Sequence, residues 1–317
     1  MAKLIIQIPC YNEIDQLEST IQKLPKAVSG FDKLEILVID DGSSDGSHKL
    51  AEKAGATKIV RLKKHQGLAR VFAIGVKSSL EMGADVMVNY DADAQFPPEQ
   101  IEQLIKPILS GQADMTIGCR DMKSISHYSW SKKLLQRAGS WVVRKFSGTE
   151  VADTTSGFRA LNRNALEQIN VISPYTYTLE TIIQAGHIGL AIETVPVSIK
   201  PSPRKSRLIS SNSSYIARSV ATILRIYMMY QPLKTFGALG AVFFGAGLFL
   251  DIRYLVLYFY FGDRGHIQSL LLSAILLIIG FLIWVLGLLA DLVSANRTLI
   301  EDSLVHLRKI SSLKSRE

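Results

Sequence analysis

Short apolar runs alternate with amphipathic segments along the first 200 residues of the chain. Near-continuous or β-branched apolar runs predict strands over residues 3–8, 34–39, 58–62, 86–89, 114–120 and 192–197. Apolar positions at helical spacing predict helices over residues 15–24, 67–80, 130–146 and 178–186, with another ending near residue 54. This alternation, with its short connections, indicates an α/β sheet wound with right-handed crossovers.

Two much longer apolar segments follow. The first runs uncharged from Thr235 to Leu250 and continues into the aromatic stretch Tyr254 to Phe261; the second runs uncharged from Ile267 to Ala290. A helix of the second length crosses a bilayer core of about 30 Å. Because a single crossing would leave the other run in water, we expect two transmembrane helices, about 233–258 and 267–290, paired as a hairpin.

The segment before the hairpin is basic. Seven basic residues and no acidic residue occur from Lys200 to Lys234. Within it, Tyr215 to Tyr230 has an apolar helical stripe with Arg218 and Arg225 off the stripe, typical of an amphipathic helix on an anionic membrane face. Packing of this helix on the globular domain is the alternative. Four regions are therefore predicted: an α/β domain (1–207), an interfacial helix (208–232), the hairpin (233–292) and a basic tail (293–317).

Charge and cysteine content bear on partners and location. The formal net charge of +8 suggests an anionic partner, either nucleic acid, a phosphorylated ligand or a membrane face. Basic residues flank the hairpin while its loop is balanced, so both chain ends are expected in the cytoplasm. Cys10 and Cys119 lack metal-ligand spacing and fit a reducing compartment. No signal-peptide pattern precedes the first strand. We expect a multi-pass protein of the cell membrane with a cytoplasmic α/β domain.

The strongest candidate for chemistry is the segment from Val88 to Glu99. Asp91 and Asp93 follow an apolar run, one residue apart. On a strand, residues two apart share a face, so both carboxylates and the amide oxygen of Gln95 are expected to point into one space. Like charges that close are costly without a cation, and these oxygen ligands suit a divalent metal. A polar turn after a buried strand is the alternative.

Further polar residues follow the ends of neighbouring predicted strands. They are Asn12, Glu13, Asp40 and Asp41. Ligands of such sheets bind beyond the carboxyl ends of the strands. A metal held by acids suits a nucleotide diphosphate, and Asp40 and Asp41 can accept hydrogen bonds from a base or ribose. Candidates for binding a second anion are Arg120, Arg137, Arg204, Lys205 and Arg207.

Two other nucleotide-binding classes and one calcium motif do not fit. The turn after the first strand lacks the Gly-x-Gly-x-x-Gly of dinucleotide oxidoreductases, and no Gly-x-x-x-x-Gly-Lys phosphate loop occurs. The loop beginning at Asp41 nearly matches an EF-hand. It follows a strand instead of a helix, however, and Lys49 stands at a ligand-bearing position.

Six motifs follow one another along the α/β domain. They are Pro9-x-Tyr11-Asn12-Glu13, Asp40-Asp41-Gly42-Ser43-x-Asp45-Gly46, Asp91-Ala92-Asp93-x-Gln95-x-Pro97-Pro98-Glu99, Gly118-x-Arg120, Asp153-x-x-Ser156-Gly157-Phe158-Arg159 and Glu193-x-x-Pro196-Val197. They resemble the motifs of family-2 glycosyltransferases, specifically polyprenyl-phosphate glycosyltransferases similar to dolichyl-phosphate mannose synthase. The two C-terminal helices resemble the bacterial branch that glycosylates undecaprenyl phosphate. The resemblance implies a GT-A fold, Rossmann-like with a mainly parallel sheet.

The resemblance also implies roles for individual residues. Nucleotide-binding residues would be Pro9, Tyr11, Glu13, Asp40, Asp41 and Asp91. Asp91, Asp93 and Gln95 would hold Mg²⁺ or Mn²⁺ on the donor diphosphate. Residues for the lipid phosphate or diphosphate would be Arg120, Arg137, Arg204, Lys205 and Arg207. The catalytic residues would be Asp93, Asp153 and Arg120.

The implied reaction moves a hexose from a nucleotide sugar to a polyprenyl phosphate. UDP-glucose is the first expected donor and GDP-mannose the second. A lipid phosphate is already ionised near neutral pH, so a general base is dispensable and positioning and charge neutralisation carry the rate. Direct in-line attack predicts inversion at the anomeric carbon.

Three alternatives remain. A processive polysaccharide synthase is disfavoured because Gln136-Arg137-x-x-Ser140-Trp141 does not match that class's Gln-x-x-Arg-Trp signature. The second is a family-2 enzyme that the membrane helices only anchor and that acts on another acceptor, either a soluble one or a glycolipid or polysaccharide. A non-enzymatic basic adaptor for membrane or nucleic acid leaves the strand-end acids unexplained, so no nucleic-acid partner is expected. Paired membrane helices favour self-association into a homo-oligomer.

Overall fold

The computed structural model describes residues 2–120, 147–172, 176–200, 230–262 and 267–314, and single positions between them. Seven strands are described: β1 (Lys3–Cys10), β2 (Lys33–Asp40), β3 (Lys58–Arg61), β4 (Val86–Asn89), β5 (Met115–Arg120), β6 (Arg159–Asn162) and β7 (Ile192–Val197). The helices of the α/β domain whose two ends lie in the described residues are α1 (Leu17–Lys23), α2 (Ser47–Lys53), α3 (Leu68–Glu81), α4 (Gln100–Leu109), α5 (Arg163–Gln168) and α6 (Thr178–His187). Two long helices follow, α7 (Pro232–Phe261) and α8 (Ile267–Lys314).

The strands form one sheet in the order β3-β2-β1-β4-β6-β5-β7. All neighbouring pairs are parallel except those that involve β6, which runs antiparallel to both β4 and β5. The predicted α/β fold with a mainly parallel sheet is therefore confirmed. Pro196 lies in the edge strand β7, where a residue without a backbone N–H is tolerated.

The centre of the sheet is apolar because β1 has neighbours on both sides and helices cover it. Leu4, Ile6 and Ile8 are fully buried, and one cluster joins them to apolar residues of α1 and α4. Pro9 fits inside β1 because pairing with β4 ends at Gln7 and Asn89, so no partner strand requires its missing N–H on that side. The sheet thus holds the carboxyl ends of β1, β2 and β4 in fixed register.

Three features differ from the sequence expectation. The strand leading to the acidic motif ends at Asn89, so Asp91 and Asp93 do not lie on it. Helix α4 was not predicted, although its buried residues recur at helical spacing; Pro98 before it and Pro107 within it disguised the pattern. The short helix α5 was also missed. Its cap is nevertheless a sequence signal: the Asn162 side chain accepts a hydrogen bond from the N–H of Ala165.

The two long helices confirm the predicted apolar pair. Residues 232–260 and 267–308 are long and apolar enough to cross a membrane. Glycines allow close packing: a Cβ on Gly280 would lie 2.7 Å from the backbone nitrogen of Phe244, and one on Gly247 would lie 2.9 Å from that of Leu277. Small residues of this kind let membrane helices approach closely. Helix α8 continues well beyond the predicted end of the second span, at residue 290.

The chain divides into two compact units, Met1–Ile223 with Asp302–Glu317, and Leu224–Glu301. The end of α8 therefore belongs to the α/β unit. There, Arg308 Nη1 donates to the backbone oxygens of Glu167 and Ile169, each at 3.0 Å. A cation at the C-terminal carbonyls of α5 complements the helix dipole. The predicted region boundaries at residues 207, 232 and 292 stay predictions.

Candidate active site

Functional residues from distant parts of the chain converge at the carboxyl edge of the sheet. Parallel pairing sets Cys10 of β1 beside Asp40 of β2, and Gln7 of β1 beside Asn89 of β4. The segments that leave these strands carry the Pro-x-Tyr-Asn-Glu, Asp-Asp-Gly and Asp-Ala-Asp motifs. The convergence expected of a parallel sheet is therefore present.

Asp40 presents one carboxylate oxygen that the protein does not saturate. The side chain is fully buried, and its Oδ1 accepts from the N–H of Ser43 at 3.0 Å. Its Oδ2 accepts no hydrogen bond from any residue that the structure describes, although Arg61 Nε lies 3.4 Å away and His48 Nδ1 lies 3.9 Å away. A buried oxygen that faces a cation but accepts no hydrogen bond keeps an acceptor position open. It is suited to accept a donor from a ligand, and a shallow cleft lies beside it, lined by Gly42, Arg61, Leu62 and Lys63.

Asp41 is used differently from its neighbour. Its carboxylate accepts from the backbone N–H groups of Gln66 (2.7 Å) and Gly67 (2.9 Å), and lies 2.8 Å from His65 Nδ1. These contacts tie the end of β2 to the start of α3. Nucleotide contact by Asp41 stays a prediction, because its carboxylate already serves this internal link.

The residues after β1 line the same edge. Pro9 is buried in the strand, whereas Tyr11 is 39% exposed and stacks on the His65 ring, with centroids 4.0 Å apart. Glu13 begins the turn into α1, where its carbonyl accepts from the N–H of Leu17 at 3.0 Å. An exposed aromatic face beside a buried carboxylate suits a planar base and ribose.

The acidic motif is a turn and not a strand, which corrects the expected geometry. Ala94, between Asp93 and Gln95, has a φ of 49°, in the left-handed region. The turn lets Gln95 Nε2 donate to Asp93 Oδ2. The two acids are brought together by this turn and not by strand alternation. For the Gln95 oxygen to contact a metal, its amide must leave this bond.

Charge at the turn favours a bound cation. Burial, reinforced by the charge of Asp93, raises the pKa of Asp91 to about 7, while Arg120 and Arg159 act to lower it. Among the residues described, no cluster of three or more His, Cys, Asp or Glu side chains can hold a metal ion by itself. The Asp91 and Asp93 oxygens are the hard ligands that Mg²⁺ and Mn²⁺ take together with substrate phosphates. The site therefore fits a metal that a ligand diphosphate helps to hold.

Asp153 and Arg120 form a two-point ion pair. Arg120 Nε lies 2.6 Å from Asp153 Oδ2, Arg120 Nη2 lies 2.9 Å from Asp153 Oδ1, and Nη2 also donates to Thr155 Oγ1 at 2.8 Å. Burial alone would raise the pKa of Asp153, but the hydrogen bonds and charge of Arg120 outweigh it and lower the pKa. Both predicted residues are thus brought together, with Asp153 ionised and holding the guanidinium in place.

Four predicted site residues lie outside the described structure, and other residues at the site were not predicted from the sequence. Arg137, Arg204, Lys205 and Arg207 lie outside the described residues. The sequence interpretation missed Arg61, His48 and His65, since nothing in their local pattern marks them. Arg159 was quoted in a motif but given no role, and Tyr177 was not singled out.

The seven-stranded mixed sheet, with acids following the ends of its central strands, is that of a glycosyltransferase of the GT-A fold. The model of glycosyl transferase family 2 matches residues 5–169, and the chain belongs to this family. An undecaprenyl-phosphate mannosyltransferase from Micrococcus luteus is 30% identical over 206 residues, which cover 62% of this chain and 83% of that protein. A UDP-N-acetylglucosamine–dolichyl-phosphate N-acetylglucosaminyltransferase from Methanococcus voltae is 28% identical, over 60% of this chain and 82% of that protein.

A solved structure supports the fold. Glucosyl-3-phosphoglycerate synthase from Mycobacterium tuberculosis, in complex with Mn²⁺, UDP-glucose and phosphoglyceric acid, superposes with a TM-score of 0.58. It is 20% identical and covers 71% of this chain and 80% of that one. At this identity the likeness concerns the GT-A fold.

Proposed function

We propose that this protein transfers a hexose from a nucleotide sugar to a polyprenyl phosphate at the cytoplasmic face of a membrane. The observation that carries the proposal is the joint position of the Asp91–Asp93 pair and the Arg120–Asp153 pair near one sheet edge. The first pair suits a diphosphate with its metal, and the second offers a held cation for an anionic acceptor. The two apolar helices, which are long enough to cross a membrane, support a lipid acceptor.

Each group has a distinct task in the proposed reaction. Asp40 Oδ2 and Tyr11 bind the nucleoside, and Asp91 and Asp93 hold the diphosphate end. Asp91 and Asp93 would also hold Mg²⁺ or Mn²⁺, which would supply positive charge against the departing diphosphate. Arg120, fixed by Asp153, orients the acceptor phosphate.

The bond changes require no protein base. An oxygen of the acceptor phosphate attacks the anomeric carbon, the bond to the donor diphosphate breaks, and its electron pair leaves with the nucleoside diphosphate. The products are the polyprenyl-phosphate sugar, inverted at the anomeric carbon, and the free diphosphate. Asp153, with its lowered pKa and its bonds to Arg120, acts as a positioning group in this scheme.

The identity of the sugar is left to a comparison of donors. The name of the Micrococcus luteus relative favours mannose, whereas the sequence interpretation placed UDP-glucose before GDP-mannose. The name of the Methanococcus voltae relative shows that another sugar occurs among similar proteins.

The test is a transfer assay with purified full-length protein, Mn²⁺ and radiolabelled donors. GDP-mannose and UDP-glucose are each offered undecaprenyl phosphate and, separately, a soluble alcohol. We expect label in the lipid fraction with one donor and none in the alcohol. Label in the soluble alcohol without label in the lipid phosphate would refute a lipid acceptor and favour the anchored-enzyme alternative.

A further inference from the structure

Arg159, the first residue of β6, is a cation inside the protein core. Its side chain is fully buried, and it is among the largest side chains buried to this degree. Within the described residues its hydrogen-bond acceptors are four neutral oxygens, and no carboxylate contacts it directly. Burial lowers the pKa of its guanidinium to about 10. A buried charge without a contacting counter-ion is unfavourable, so a core-filling role would be served better by an apolar residue.

The four oxygens belong to two segments. Nε donates to the backbone oxygen of Ser156 at 2.8 Å, and Nη2 donates to that of Thr154 at 3.2 Å. Nη1 donates to the backbone oxygen of Thr178 at 2.9 Å and to the hydroxyl of Thr181. The planar fork of an arginine thus joins the 153–157 loop to the first turn of α6.

The 153–157 loop lies against both charged pairs of the site. At its start, Asp153 and Thr155 hold Arg120. At its end, Gly157 approaches Asp91 so closely that a Cβ there would lie 3.3 Å from Asp91 Oδ2. The Gly157 carbonyl accepts from Asn89 Nδ2 at 2.8 Å, which fixes it to β4. A single loop therefore links the proposed diphosphate side of the site to the proposed acceptor side.

We propose that Arg159 is a positioning residue that sets the distance between these two sides by anchoring the middle of the loop. The inference rests on the proposed function and adds a residue that touches neither substrate. Its neighbours support a rigid anchor: the guanidinium carbon lies 5.5 Å from the centre of the Tyr177 ring, and that ring stacks on Phe72 with centroids 4.0 Å apart.

Positioning makes a kinetic prediction that core filling does not. A loop that is looser by a fraction of an ångström misaligns the attacking and leaving oxygens, which lowers kcat, while each substrate still binds its own side. Arg159→Lys tests this, because it keeps the charge but replaces a fork of donors with a single ammonium group. Arg163→Lys is the matched control. Arg163 also bonds a carbonyl, that of Ala84 at 3.4 Å, but pairs with Glu167 on α5, away from the loop.

Thr181→Val provides a second variant should Arg159→Lys fail to fold. It removes one acceptor of the guanidinium while keeping the shape of the side chain and the charge of Arg159. All three variants are compared with wild type by amide hydrogen exchange of peptides covering residues 153–158, in ligand-free protein, and by kcat and donor KM in the transfer assay.

We expect faster exchange in the loop for Arg159→Lys, with kcat lowered about 100-fold and donor KM within about 3-fold. Thr181→Val should move both readouts in the same direction, with kcat lowered about 10-fold, and Arg163→Lys should match wild type. Unchanged exchange, a kcat within about 3-fold of wild type, a loss confined to KM, or an equal loss in Arg163→Lys would each overturn the inference. A wild-type protein that transfers no sugar would refute the proposed function instead. Amide hydrogen exchange of the 153–157 loop would then be the remaining test of whether Arg159 anchors it.

Discussion

A carboxyl group with a raised pKa lies where the donor diphosphate is proposed to bind. The pKa of Asp91 is about 7, because burial and Asp93 oppose its ionisation. In an unfolded chain this carboxyl ionises near its ordinary value of about 3.9. Between these two pH values the folded protein holds a proton that the unfolded chain has lost. The carboxyl of Asp91 therefore lowers the free energy of unfolding increasingly as the pH rises, and this loss levels off above about pH 7.

Asp91→Asn removes this dependence. In metal-free buffer, the melting temperature of the variant relative to wild type is expected to increase from about pH 5 to about pH 8. Asp45→Asn is the control with the opposite sign. Burial acts to raise the pKa of Asp45, but hydrogen bonds from Ser47 and Ile14 outweigh it and lower the pKa. Wild type therefore gains stability as the pH rises from acid, and Asp45→Asn should lose stability relative to wild type over the same rise. If the melting temperatures of Asp91→Asn and wild type changed in parallel with pH, the pKa of Asp91 would not be raised.

The Arg120–Asp153 pair predicts a strong energetic coupling. Removing either partner leaves the other charge largely buried and unpaired, so Arg120→Met and Asp153→Asn should each destabilise the fold. The sum of their losses in the free energy of unfolding should exceed the loss in the double variant. We expect a coupling of about 2 kcal/mol. The exposed pair Lys77–Glu81, at 3.9 Å, is the control and should couple by less than about 0.5 kcal/mol. Coupling as weak as in the control would contradict a fixed Arg120.

At the residue scale, the sequence predicted which positions form motifs better than it predicted the contacts that their side chains make. Asp40 and Asp41 are indistinguishable neighbours in sequence, yet Asp41 serves a loop 25 residues away and Asp40 keeps an oxygen available. Which carboxylate is saturated depends on where residues 65–67 pack, which no local pattern records. The role of the buried Arg159 was missed for a similar reason, because two of its partners, Thr178 and Thr181, lie 19 and 22 residues further along the chain, in the first turn of α6.

At the scale of elements, the strands were predictable because apolar runs in a parallel sheet are continuous. The turn at Asp91–Gln95 was not, because it depends on Ala94 adopting a positive φ, which alanine rarely does. Helix α4 was hidden by prolines that usually interrupt helices. The acidic motif was therefore located correctly, but the wrong local geometry was assigned to it.

The helical hairpin makes a prediction at the same scale. Gly280→Leu places a side chain where a Cβ alone would lie 2.7 Å from Phe244, whereas a Cβ on Gly245 meets nothing within 4 Å. Gly280→Leu is expected to destabilise the hairpin by about 2 kcal/mol through overpacking, and Gly245→Leu to leave it nearly unchanged. Thermal melting in detergent, followed by the fluorescence of Trp284 in a Trp130→Phe/Trp141→Phe background, measures the difference. Equal effects of the two variants would contradict the packing of α7 against α8.

For the whole molecule, the basic flanks predict that both chain ends are cytoplasmic. A cysteine replacing Asp263, between the two spans, should react with a membrane-impermeant maleimide on intact cells. One replacing Glu317 should react only after lysis. Cys119→Ser serves as the background, since Cys10 is buried. Labelling of the residue-317 cysteine on intact cells would reverse the proposed topology.

The central claim is metal-dependent transfer of a hexose to a lipid phosphate, and mass spectrometry of the acceptor measures it directly. Purified full-length protein is incubated with undecaprenyl phosphate, nucleotide sugar and Mn²⁺, alongside Asp93→Ala. We expect wild type to increase the mass of the lipid phosphate by one hexose, whereas Asp93→Ala, still inserted in the membrane, leaves it unchanged. An unmodified lipid with wild type under every donor, or equal product with Asp93→Ala, would contradict this claim.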